Sequence, residues 1–219
     1  MAMTTLTCRA IVFDMDGTLV DSTALVERIW GDFAAEHQLD VVELLAFAHG
    51  RQTHDTVTRF LPRLPEGEAR SLTDGLQAVE AGTRDGTVEI PGAAAFVASL
   101  PGDRVALVTS VNYELARSRM AEAGVPWPAV VLASEQVAVG KPAPDGYLLA
   151  AELLGVDPDE VVVFEDAAAG LEAARASGAS VVVVGDHDGP GADGLPRVAG
   201  YEDVSVTVRA DGLLEITLP

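Results

Sequence analysis

The chain has 219 residues, 48% apolar and 22% charged, enough to bury one globular core carrying an insertion, or two small cores. Fourteen basic residues against 34 acidic ones leave a net charge of −20, which suits neither nucleic acid nor an anionic membrane surface. The same field repels any anionic small molecule, so such a ligand needs a local cation, and Lys141 is the sole lysine.

Cys8 is the sole cysteine, so no internal disulfide can form and a reducing compartment fits; we read it as a small side chain near the start of the first strand. The opening residues MAMTTLTCRA lack a basic region followed by an apolar core, and no apolar run reaches membrane-spanning length. The expectation is a soluble, cytoplasmic protein, a monomer or weak dimer, with neither nucleic acid nor membrane as a partner.

In chain order, Ala10–Phe13 reads as a buried strand that ends abruptly in Asp14 and Asp16, with Gly17 marking the turn. Residues two apart in an extended chain face the same way, so both carboxylates could address one site. They could equally be an acidic turn that ends a strand. The period then becomes helical. Asp21 or Ser22 can cap a helix with a stripe of Leu25, Val26, Ile29, Trp30, Phe33 and Ala34. A second helix covers Val41–Ala48 and is broken by His49-Gly50-Arg51. Thr53 can cap a third, closed by Pro62, and a fourth runs from Glu66 to Ala81. Gly82–Glu89 is a polar return. Residues 20–89 thus read as helices alone, a module inserted into the fold.

From Pro91 strands and helices alternate: helix Gly92–Leu100, strand Val105–Val108, helix Asn112–Ala123 and an apolar run at Val130–Leu132. Pro144 opens a helix ending at Gly155, followed by strand Val161–Phe164, helix Ala167–Ser177 and strand Val181–Val184. Valine-rich strands alternating with helices predict an α/β fold with a parallel sheet covered on both faces. Gly185 to Gly200 reads as loop, Val204–Val208 is a candidate edge strand, and the remainder to Pro219 has no assignment. No internal repeat is present.

Ligands of open parallel sheets bind beyond the carboxyl ends of the strands. At those ends stand Asp14 and Asp16, Thr109-Ser110, Lys141 and Glu165-Asp166. Each has a plain alternative: Thr109 a helix cap, Lys141 a surface charge, Glu165-Asp166 a solvated turn. Four such groups at successive strand ends are far less easily produced by chance.

In this order the residues resemble the haloacid dehalogenase superfamily, with DMDGT at 14–18, Thr109, Lys141 and FEDAAAG around Glu165-Asp166 as its four motifs. The resemblance implies a Rossmann-like three-layer α/β core, residues 1–19 and 90–219, with an inserted all-helical cap, residues 20–89. It also implies Mg²⁺-dependent phosphoryl transfer through an aspartyl-phosphate. Asp14 would be the nucleophile and Asp16 the acid and base. Asp14, Asp166, Glu165 and the backbone carbonyl of Asp16 would hold the metal. Thr109 and Lys141 would hold the phosphoryl oxygens.

Among members of the superfamily, Asp16 argues against dehalogenases. A cap without lysine excludes phosphonoacetaldehyde hydrolases. The β-phosphoglucomutases carry a histidine where this chain has Val26, which weakens that reading without removing it. The pattern is most similar to sugar and polyol phosphatases, including glycerol-3-phosphate, 2-deoxyglucose-6-phosphate and hexitol phosphatases. His49, Gly50, Arg51 and Thr53 of the cap, with Ser110 and Asn112 beside Thr109 and with Lys141, are then the expected contacts to a small phosphorylated metabolite. Plainer roles remain for His49 as a helix end and Arg51 as a surface ion pair. His37, His54 and His187 read as surface, and Trp30 and Phe33 as helical core. A catalytically idle relative that only binds a phosphometabolite is the alternative of a different class.

Overall fold

In the computed structural model the described residues are 3–83 and 86–219, so Arg84 and Asp85 of the polar return lie outside them. The central sheet has six strands: β2 (Ala10–Phe13), β5 (Val105–Val108), β6 (Val130–Leu132), β7 (Val161–Glu165), β8 (Ser180–Val184) and β9 (Arg197–Val198). Their order is β6-β5-β2-β7-β8-β9, and every pair is parallel. The continuous apolar runs reflect burial on both sides. Ile11, Phe13, Val105, Leu107, Val162 and Phe164 face one core, while Ala10, Val12, Ala106, Val108, Val161 and Val163 face the other.

Helices α5 (Ala93–Ser99) and α6 (Tyr113–Glu122) bring Phe96, Val97, Ala116 and Met120 to the first core. Helices α7 (Asp145–Leu154) and α8 (Ala168–Ser177) bring Tyr147, Ala150, Leu171 and Ala174 to the second. The strand order puts β2 at the centre, between β5 and β7, with Phe13 opposite both Leu107 and Phe164. Asp14 therefore emerges flanked by the ends of β5 and β7.

Residues between β2 and α5 form α1 (Thr23–His37), α2 (Val41–Ala48), α3 (Thr53–Phe60) and α4 (Glu66–Gly82), which share a separate apolar cluster built on Trp30, Phe33, Leu44 and Val57. Trp30 and Phe33 meet edge to face with ring centroids 5.3 Å apart, as core residues do. The reading of this stretch as helices alone needs one correction. Val20–Asp21 (β3) pairs antiparallel with Val88–Glu89 (β4), so the chain enters and leaves the helices through a two-stranded neck. The expected caps also shift. Ser22 precedes α1 without capping it, whereas Asp21, the other expected cap, accepts from the Thr23 N–H at 3.0 Å; α3 starts at Thr53 with Gln52 in the cap position.

The C-terminal segment is ordered and β-rich. Ser205–Val208 (β10) and Leu214–Leu218 (β11) form an antiparallel sheet with Thr4–Cys8 (β1), in the order β1-β11-β10. The candidate edge strand is therefore an edge, but of this second sheet. Leu214, Ile216 and Leu218 alternate into the first core and close it from below. The stretch after Gly185 is mostly loop, interrupted by β9. Cys8 ends β1, and burial pushes its thiol up to about 12, so it behaves as a small apolar group. Among the described residues no helix is long and apolar enough to cross a membrane.

Candidate active site

Asp14 is the first residue past β2. Its backbone N–H donates to the Phe164 carbonyl (3.0 Å), which carries the ladder one step beyond the strands and fixes the residue at the sheet edge. Lys141 enters from the loop before α7. Its ammonium donates to Asp14 Oδ1 and, at 2.6 Å, to Glu165 Oε1. Glu165 is the last residue of β7 and is 0% exposed, which rules out a solvated turn. Four donors meet its carboxylate: Lys141 Nζ and Tyr147 Oη (3.0 Å) at Oε1, and the N–H groups of Asp166 (2.8 Å) and Ala167 (2.9 Å) at Oε2. A carboxylate offers about four acceptor positions, so these donors saturate it.

Asp166 follows on the same turn. Its Oδ1 accepts from the Thr18 hydroxyl at 2.9 Å, and the Thr18 carbonyl accepts from the buried Tyr201 hydroxyl at 3.0 Å. Gly17 lies directly against Asp166. A Cβ there would stand 2.0 Å from Asp166 Oδ2, and the φ of +84° independently disfavours any side chain.

Asp14, Glu165 and Asp166 each place an oxygen within 4.8 Å of the other two. Burial pushes the Asp14 carboxyl up to about 7; Lys141 opposes the shift and Glu165 adds to it. Asp166 is raised for the same reasons, first by burial and then by Glu165 and Asp14. Burial would lower the Lys141 ammonium, but Asp14 and Glu165 together outweigh it and hold it charged above the usual lysine range. One buried cation thus faces three carboxylates. That excess of negative charge, offered by hard oxygen donors, fits a divalent cation such as Mg²⁺. Asp14 and Asp166 retain the free acceptor capacity; Glu165 anchors Lys141 and the turn behind them.

The Asp16 side chain stands apart from this cluster. Its Oδ1 accepts from the Ser22 hydroxyl (2.6 Å) and from Arg119 Nη1 (2.8 Å). Arg119, on α6, is 3% exposed and donates through Nη2 to Glu80 Oε2 on α4 at 3.0 Å. Sequence reasoning missed Ser22, Arg119 and Glu80 as site residues. Arg119 looks like any charge on an amphipathic helix. Glu80 left one faint signal: an acid in the last turn of a helix opposes the helix dipole.

Asp14, Asp16, Asp166 and Thr109 open onto a cavity of about 100 Å³, whose far wall is formed by His49, Gly50, Arg51 and Thr53 from the break between α2 and α3. The expected meeting of these residues with the sheet edge is present. Gly50 approaches the core loop closely, with a φ of +75° and room for a Cβ only 2.9 Å from Ala167. Its carbonyl accepts from the Ser110 hydroxyl at 2.8 Å. The Arg51 guanidinium lies over the Phe47 ring, 4.4 Å from its centroid, so the expected alternative of a surface ion pair gives way to a cation–π contact.

Asn112 departs from expectation. It caps α6 by accepting from Leu115 N–H (2.9 Å) and donates to Gln77 on α4 (2.8 Å), away from the cavity. Lys141 reaches Asp14 from behind and does not line the main cavity. The three remaining histidines lie at the surface but partly covered. His37 packs 4.5 Å from the Phe33 ring, His54 contacts Thr73, and His187 contacts the Pro190 carbonyl.

Comparison with known proteins points the same way. Residues 8–178 match the family described as haloacid dehalogenase-like hydrolase. Hexitol phosphatase A of Escherichia coli is 39% identical over 209 residues, spanning 94% of this chain and 97% of that protein. Glycerol-1-phosphate phosphohydrolase 2 of Saccharomyces cerevisiae is 30% identical over 184 residues, spanning 79% and 73%. The crystal structure of a hydrolase from Pseudomonas syringae superposes with a TM-score of 0.75 over 86% of this chain and 92% of that one; at 21% identity it speaks for the fold alone.

Proposed function

The chain belongs to the haloacid dehalogenase-like hydrolase family, and from that premise we propose that it is a Mg²⁺-dependent phosphatase of small sugar or polyol phosphates. One observation carries the reading: Asp14, held by Lys141 and followed two residues on by Asp16, opens onto a small cavity whose far wall bears His49 and Arg51. Residues 20–89 act as a cap over a core formed by 1–19 and 90–219, with the β3–β4 neck as the joint.

The chemistry follows from the side chains. A carboxylate oxygen of Asp14 attacks phosphorus, and the bond from phosphorus to the leaving oxygen breaks. Asp16 gives that oxygen its proton, so a neutral alcohol departs. Water then attacks the aspartyl-phosphate, its proton passes to Asp16, and the bond from phosphorus to Asp14 breaks to release phosphate. Thr109 and the cations Arg51 and Lys141 offset the charge of the phosphoryl group in an otherwise acidic protein. Mg²⁺, held by Asp14 and Asp166 with the Asp16 carbonyl and Glu165 close by, would supply further neutralisation of the phosphoryl oxygens.

A panel of hexitol, hexose and glycerol phosphates, assayed for phosphate release with Mg²⁺ and with EDTA, tests the proposal. We expect Mg²⁺-dependent kcat/KM values that favour polyol or sugar phosphates; a protein inert across the panel would be the idle binder instead. The mutase reading is disfavoured because Val26, at the cavity wall, offers no imidazole. Isomerisation of β-glucose 1-phosphate faster than phosphate release would reverse that preference. Gly17→Ala tests the metal assignment: by displacing Asp166 it should raise the Mg²⁺ concentration for half-maximal activity about tenfold or more, measured by Mg²⁺ titration.

A further inference from the structure

We infer that Arg119 and Glu80 are positioning residues for the proton transfer at Asp16, a role that rests on the phosphatase reading above. A carboxylate at the sheet edge can rotate about both of its side-chain bonds, and an acid that must meet one leaving oxygen needs that freedom removed. Ser22 and Arg119 remove it from one side. Both donate to Oδ1, at 2.6 and 2.8 Å, the second a charge-assisted bond. Among the described residues Oδ2 has no partner, and Asp16 lines the cavity, so Oδ2 is the oxygen that delivers the proton and later takes one from water.

Arg119 is in turn held from the cap. Its other fork end meets Glu80, which is 4% exposed on α4, and its Nε is buried with no partner. A buried ion pair is weak evidence of stabilisation, and an orphaned buried donor is a cost. The arrangement is therefore poorly explained as a structural device alone. It does join three elements at one guanidinium: the turn after β2, α6 of the core and α4 of the cap. The Asp16 carboxylate is oriented only when all three are in place.

Two leaving groups separate this role from a structural one. p-Nitrophenolate departs without a proton, whereas the alkoxide of a polyol phosphate needs one, so loss of the aligned acid should fall mainly on the latter. Steady-state kcat/KM, which ends at departure of the leaving group, is measured for wild type, Arg119→Gln and Glu80→Gln on p-nitrophenyl phosphate and on a hexitol or glycerol phosphate. For Arg119→Gln the ratio of the two values should shift about 100-fold against the polyol ester, with a smaller shift of the same sign for Glu80→Gln and partial recovery in Arg119→Lys. An equal loss on both esters would overturn the inference, because that is what a misfolded site or a phosphate-binding arginine produces. An unchanged ratio with no loss would overturn it too. Should Arg119→Gln fail to fold by circular dichroism, Glu80→Gln, which leaves the cation in place, decides alone. A wild type inactive on both esters would instead sink the phosphatase reading itself.

Discussion

Asp14→Asn should abolish phosphate release, lowering kcat about 10⁴-fold or more, while the protein stays folded and melts somewhat higher in EDTA. The activity loss follows from removing the carboxylate that Lys141 holds just past β2, the phosphoryl acceptor in the proposed reaction. The stability gain follows from crowding. Burial, reinforced by Glu165, pushes the Asp14 carboxyl up to about 7, so at pH 8 its ionised form opposes folding. An amide of the same shape removes that repulsion and keeps the contact to Lys141, which still has Glu165 as its counter-ion. A rise of about 2–4 °C would correspond to roughly 1 kcal/mol in a chain of this size. Phosphate assays and thermal melts in EDTA check both halves. Activity within 100-fold of wild type would place the phosphoryl acceptor elsewhere, and a lower melting temperature would show that the Asp14–Lys141 pair stabilises more than the crowding costs.

The opposite directions of these two effects mirror how the sequence announced the site. Strain of this kind is concentrated where local pattern breaks: the apolar run of β2 ends in two acids, and the run of β7 ends in Glu165 inside the strand itself. Those breaks are visible residue by residue, so the gathering of Asp14, Asp16 and Glu165-Asp166 at one sheet edge was legible along with the parallel sheet, and Lys141 stood out as the sole lysine. Asn112 was misread because an asparagine before a helix serves equally as a cap, and only the position of Gln77 on α4 decides between cap and ligand. Arg119 and Glu80 were not legible for a similar reason. Their burial comes from α4 lying against α6, a tertiary contact across some forty residues that neither helix's own periodicity records.

The second sheet shows a different limit. LEITL at 214–218 alternates strictly, and its buried Leu214, Ile216 and Leu218 are what a half-covered strand should show. Its partner TTLTC at 4–8 has strand-forming threonines but little apolar surface, because most of its side chains face solvent. β1 has β11 as its strand partner, and the two meet from opposite ends of the chain, Thr4 against Leu218. A local reading sees two weak segments, while the fold sees one antiparallel ladder closing the core beneath Phe13.

Lys141→Met is expected to be the most damaging single change to stability, costing about 3–5 kcal/mol at pH 8, because it breaks a buried ion pair from the cationic side. Methionine approximates the stem volume, so packing is largely kept, but Asp14 and Glu165 are left without their shared cation in a site that is almost fully buried. The damage should depend on pH in a definite direction. The Asp14 carboxyl, at about 7 in the folded metal-free protein against 3.8 for an unperturbed aspartate, is raised on folding. Between those values the folded state binds more protons than the unfolded one, so stability is greatest at the acidic end and falls as pH rises toward 7. Lys141 opposes that shift, so its loss raises the folded value further and extends the decline to higher pH. Thermal or urea melts in EDTA at pH 5.5 and pH 8 should therefore show Lys141→Met much closer to wild type at the lower pH. Activity with Mg²⁺ should be lost at both, since protonating Asp14 relieves the repulsion only by removing the proposed nucleophile. An equal loss of stability at the two pH values would mean that the cost of losing the lysine does not arise through Asp14, and the account of Asp14 crowding would fail with it.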